Sequence, residues 1–174
     1  TALMAGFAQR LGVDNLSTLA GSAEVTIEVN PEDVTLPAVE SWVSAGVNRA
    51  SLGVQSFDPR VLQWMHREHG ADDSVRAARL LREGGIQNIS LDLIFAVPVE
   101  LERDWERDLD LVLGLEPDHL SLYGLTVEPK TPLGRWSARG EVAEAPEERF
   151  ELEFLRADTV LRQSGFEHYE VSNY

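Results

Sequence analysis

The 174-residue sequence contains no cysteine. Disulfides, thiolate metal sites and a cysteine nucleophile are therefore excluded within this chain. Basic charge is scarce as well: 15 Lys and Arg stand against 30 Asp and Glu, a formal net charge of −15. Such a surface repels nucleic-acid phosphates and anionic lipid, so no nucleic-acid partner is expected, and any anionic ligand needs a local basic group. No apolar run approaches the roughly 20 residues of a membrane helix, and the opening Thr1 to Phe7 has no basic region of the kind a secretory signal carries. No membrane insertion is expected, and a cytoplasmic setting is the default. His66, His69, His119 and His168 show no metal-ligand spacing, and P-loop, nucleophile-elbow and His-Glu-x-x-His motifs are absent.

What is present is an ordinary globular composition, 43% hydrophobic and 26% charged, which fits a single domain over residues 1–174. The chain starts without Met inside a helical pattern, so a piece of a longer protein is expected. Leu3, Met4, Phe7 and Leu11 share a helix face, with Gly12 as a stop. Ala23 to Asn30 alternates at period two and reads as a strand closed by Pro31. A helix from Leu36 to Gly46 and a strand ending on Gln55 follow. Asp58-Pro59 opens another helix, because the carboxylate accepts orphan amide hydrogens and Pro needs no N–H bond at the first helical position. Next come a helix from Asp72 to Gly84, a strand from Ile89 to Ala96, a helix from Leu101 to Val112 and a strand from His119 to Leu125. Arg135 to Ala145 reads as irregular. Pro146 opens a long helix with Phe150, Phe154, Ala157 and Leu161 on one stripe, and a strand-like run covers Phe166 to Val171.

One unit recurs: amphipathic helix, glycine, apolar strand, at Gly46, Gly85, Gly114 and Gly165. Glycine there can take the left-handed conformation that ends a helix. Regular alternation of strand and helix predicts an α/β fold with parallel strands, either a barrel or an open doubly wound sheet. In both, ligands bind at the carboxyl ends of the strands. Glu28, Gln55, Asp92 and Tyr123 stand near four such ends, and Arg67 supplies positive charge. Each has a plainer alternative: a cap or surface pair for Glu28, a strand-to-loop hydrogen bond for Gln55, an internal salt bridge for Asp92. A barrel hydrolase or aldolase using Glu28 and Asp92 as acid and base is a further reading.

Several motifs carry a resemblance. Ile27-Glu28-Val29-Asn30-Pro31, the run from Asn48 to Phe57, Arg67 with His69, the run from Asp92 to Pro98, and Leu120 to Tyr123 followed by Glu128-Pro129 together resemble the radical S-adenosylmethionine proteins related to oxygen-independent coproporphyrinogen III oxidase. The run from Gly165 to Tyr174, and Ser56 where the oxidase tends to carry Asp, are similar to the haem chaperone branch. The resemblance implies a partial (β/α)6 barrel with its first strands missing and the start of a C-terminal extension. It also implies S-adenosylmethionine beside a [4Fe–4S] cluster, with Glu28, Gln55, Arg67 and Asp92 at the S-adenosylmethionine contacts. A carboxylate suits a ribose diol or an ammonium, an amide both donates and accepts, and a guanidinium suits the methionine carboxylate. The implied function is a chaperone that binds haem and delivers it to haem-accepting proteins; the alternative is the oxidase itself, which decarboxylates two propionates of a porphyrinogen. Two departures stand out. The family's three cluster-ligating cysteines have no counterpart here, so this chain alone is expected to be inactive. Ala96 occupies a place where the family usually has glycine, and its methyl either crowds the cofactor or is tolerated by an ordinary backbone.

Overall fold

The computed structural model describes Gly6, residues 8–10, 12–13 and 23–174. The helix expected over Thr1 to Leu11 lies largely outside these residues; Ala8 to Arg10 are helical. Four strands, β1 (Thr26–Val29), β2 (Arg49–Gln55), β3 (Asn88–Phe95) and β4 (His119–Gly124), form one parallel sheet in sequential order. Between and after them lie α1 (Leu36–Ser44), α2 (Pro59–Trp64), α3 (Ala71–Glu83), α4 (Trp105–Leu113), α5 (Pro132–Ala138) and α6 (Glu147–Gln163).

The two faces of the sheet differ in chemistry, and that difference decides between the two architectures open to the sequence. Ala50, Leu52, Ile89, Leu91, Leu93, Leu120 and Leu122 are buried with helix residues Val39, Leu81, Leu109 and Leu161 in one core. The opposite face carries Thr26, Glu28, Arg49, Ser51, His119, Ser121 and Tyr123, which line an open polar cavity of about 590 Å³. Helices therefore cover one face only, as the outer layer of a barrel wall does, whereas a doubly wound sheet buries both.

Local chemistry explains most element ends. Asp58 accepts from the Arg60 N–H at 2.8 Å as the cap of α2, and Gly46, Gly85 and Gly165 have φ of 97°, 104° and 94°. Gly114 departs from the expected pattern with φ −62°; the left-handed turn falls on Glu116 instead, at φ 52°. Leu101 sits in a short 3-10 turn, because Glu102 is left-handed at φ 47° and Asp104, accepting from Arg107 N–H, starts α4 three residues later. Part of the stretch read as irregular from Arg135 onward belongs to α5, capped by Thr131. The run from Phe166 to Val171 forms no strand. Ser172 to Tyr174 do the pairing, antiparallel to the outer edge of β4, with two 2.9 Å bonds between Leu120 and Tyr174. That pairing covers a row of backbone groups that a free edge would expose.

Candidate functional site

At the carboxyl ends of β1, β2 and β3 the polar face deepens into a cavity of about 480 Å³ lined by Glu28, Asn30, Trp42, Ser51, Gln55 and Asp92, among others. Three of the four residues singled out by the sequence thus share one chamber. The fourth, Arg67, does not line it. Its guanidinium donates at 3.0 Å to Asn30, which does, so Arg67 stands at the rim. Tyr123 opens instead onto the broader polar cavity, below which His119 bridges Ser90 and the Tyr169 hydroxyl at 2.8 and 2.7 Å.

Gln55 reaches its place by a device the sequence did not suggest. Leu52 pairs with Leu91 and Gln55 with Leu93, so β2 spends three steps where β3 spends two. This bulge ends with Gln55 at φ 66°, a conformation L residues seldom adopt. The amide then folds back over Gly53: a Cβ on that glycine would stand 2.9 Å from Gln55 Nε2. His69 braces the bulge from behind. Its buried ring contacts the Val54 carbonyl at 3.2 Å and the Glu32 carboxylate at 3.0 Å.

Asp92 has no cation within ion-pairing distance among the described residues, so the internal salt bridge is replaced by hydroxyl donors. Ser51 donates to it at 3.1 Å. Burial pushes its carboxyl above the ordinary value, Ser121 and Ser51 pull it back, and the Glu28 charge pushes it up again. The cavity therefore presents a partly buried carboxyl beside a more exposed one, Glu28.

A buried network beneath the mouth escaped the sequence reading. Asp108 accepts from the Ser56 hydroxyl at 2.7 Å and from the Phe57 N–H at 3.0 Å. Arg103 donates to the Ile94 carbonyl at 2.7 Å and to Glu153, and lies 4.3 Å over the Trp105 ring. Glu153 also accepts from Ala96 N–H at 2.7 Å. Asp108 and Glu153 both fall on the apolar stripe of their helices, beside Leu109 and Ala157, and that position was the available signal. The network pins the exits of β2 and β3. Ala96 is held there at φ 56°, so its backbone is glycine-like and the methyl is borne under strain.

Comparison with known proteins agrees with this arrangement. Residues 7–112 match the Radical SAM superfamily. The chain is 38% identical over 164 residues to the "Heme chaperone HemW" of Synechocystis, covering 94% of this chain and 40% of that protein. It is 39% identical over 160 residues to the mouse "Radical S-adenosyl methionine domain-containing protein 1, mitochondrial", covering 90% and 35%. The solved coproporphyrinogen III oxidase HemN of Escherichia coli superposes with a TM-score of 0.76 at 25% identity, over 99% of this chain and 38% of that one. The chain thus spans roughly two fifths of the length of these relatives. With a one-faced parallel sheet, a polar cavity at its strand ends and a family match over more than half its residues, the chain belongs to the Radical SAM superfamily.

Proposed function

We propose that this chain forms the S-adenosylmethionine-holding wall of a haem chaperone that delivers haem to acceptor proteins in the cytoplasm. The observation that carries the cofactor part is the convergence of Glu28, Gln55 and Asp92 on one cavity, with Arg67 tied to its rim through Asn30. The donor set fits the cofactor: the carboxylates suit a ribose diol and an ammonium, the Gln55 amide donates and accepts, and the guanidinium suits the methionine carboxylate. Gly53 leaves the space in which the Gln55 amide lies. When bound beside a cluster, S-adenosylmethionine supplies radical chemistry. The residues of this chain bind and orient it. The cluster does not fit these residues: the sequence has no cysteine, and no His, Asp and Glu grouping suited to a metal occurs among the described residues.

The likeness to proteins named as haem chaperones supports the chaperone reading. The structural likeness to a coproporphyrinogen III oxidase supports a second one, the oxidase of porphyrin biosynthesis. Calorimetric titration of the full-length protein with S-adenosylmethionine tests the site: Gln55→Ala and Arg67→Ala are each expected to weaken binding about tenfold or more. Unchanged affinity in both would remove these residues from the site. Haem uptake with no conversion of coproporphyrinogen III under anaerobic conditions is expected, and conversion would favour the oxidase.

A further inference from the structure

Beyond Arg67 lies a second cleft, of about 420 Å³, that the cofactor does not account for. Trp64 and His66, at the end of α2, and Trp136 of α5 line it together with Ile94 and Leu125. Arg67 lines this cleft while bonding to Asn30 of the first cavity, so the two spaces meet across one side-chain pair. The lining differs sharply from the polar chamber beside it, being aromatic and aliphatic apart from His66, Arg67 and Thr131.

His66 is the unusual member. It is exposed, stands at φ 54°, and its ring makes no hydrogen bond or ion pair among the described residues. Its ring centroid is 5.9 Å from that of Trp136. The left-handed turn that ends α2 falls on His66, where the Arg67 N–H donates to the Leu62 carbonyl at 2.9 Å, and this helix end presents the ring to the cleft. Aromatic walls suit a flat apolar ligand, and a free imidazole suits iron. Basic groups also stand here: Lys130 and Arg135 flank the Thr131 to Leu133 segment of the cleft, while Arg67, at its boundary with the first cavity, is assigned to S-adenosylmethionine. These are the complements of a planar macrocycle carrying carboxylates.

We propose that this cleft seats the edge of a metalloporphyrin, packed against Trp64 and Trp136, with His66 as the iron ligand. This rests on the haem-binding reading above and gives it a location. A cleft of this volume encloses part of such a ring and leaves the rest in solvent, which suits a cargo that must be handed on.

The test is titration of the full-length protein with ferric haem and, separately, with metal-free protoporphyrin, read by the Soret band and by tryptophan quenching. Trp136→Ala is expected to weaken both ligands about tenfold. His66→Ala is expected to abolish the imidazole-bound haem spectrum and leave metal-free protoporphyrin affinity within about twofold. S-adenosylmethionine affinity is expected to stay unchanged in both variants, which also controls for folding. If Trp136→Ala unfolds, Leu125→Trp, which fills the cleft, replaces it and is expected to exclude both porphyrins. Wild-type haem binding that survives these changes would overturn the location and leave the chaperone reading standing. A wild-type protein that takes up no haem would overturn the chaperone reading, and this one with it.

Discussion

The Ser56 hydroxyl donates at 2.7 Å to the buried carboxylate of Asp108. Ser56 is wholly buried, so this residue, read in the sequence as chaperone-like where the oxidase tends to carry Asp, serves a buried hydrogen bond. Burial pushes the Asp108 carboxyl up, against the hydrogen bonds from Ser56 and Phe57. Ser56→Ala removes the shorter of these bonds and is expected to cost about 1–3 kcal/mol in denaturant unfolding. Ser56→Asp is expected to cost more, because it sets two carboxyls against each other in a buried site. A neutral result for both would show that Asp108 is satisfied without Ser56.

Gly53 offers a way to disturb Gln55 without touching it. A methyl there meets the Gln55 amide, the far end of a flexible side chain, at 2.9 Å. Gly53→Ala is expected to leave the fold intact and to weaken S-adenosylmethionine binding severalfold, about 1 kcal/mol. Equal affinity in calorimetry would mean that the amide position is not critical.

At Ala96 the left-handed backbone costs about 1–2 kcal/mol for an L residue, offset in part by the greater chain entropy of glycine. Ala96→Gly is therefore expected to stabilise the protein by up to about 1 kcal/mol and raise the Tm by about 2–4 °C. A fall in Tm would show that the methyl contributes packing that outweighs the strain.

Asp92 gives a pH signature. Its folded-state carboxyl titrates above the ordinary value of 3.8, chiefly through burial. Between the two values the folded state holds more protons than the unfolded state, so this group's contribution is fully present below 3.8 and is lost as pH rises through the folded value. Asp92→Asn, which keeps a polar partner for Ser51, is expected to gain stability relative to wild type as pH rises through that window. It is also expected to weaken S-adenosylmethionine binding. Unfolding curves with a pH-independent difference would contradict the raised carboxyl.

The alternating strands, the proline and glycine punctuation and the Asp58 cap were legible because each depends on residues close in sequence. Glu28, Gln55 and Asp92 could be placed at strand ends for the same reason, and their meeting follows from parallel pairing. Arg67 was assigned to the same site, but only the Asn30 contact shows that it guards the rim. A strand-like run was expected at Phe166 to Val171, but the pairing with β4 is made by Ser172 to Tyr174, since local sequence does not reveal which residues have a partner strand.

By itself, the sequence determined the order and periodicity of the elements, the acidic surface and the absence of any thiolate ligand, because these are properties of composition and local spacing. The tertiary structure alone decided that helices cover one face, that a bulge turns Gln55 over Gly53, that Ala96 is left-handed, and that Arg103, Asp108 and Glu153 meet. Those outcomes depend on register and on contacts between distant segments. In a low-dielectric interior, polar groups must find whichever partners the fold brings within reach.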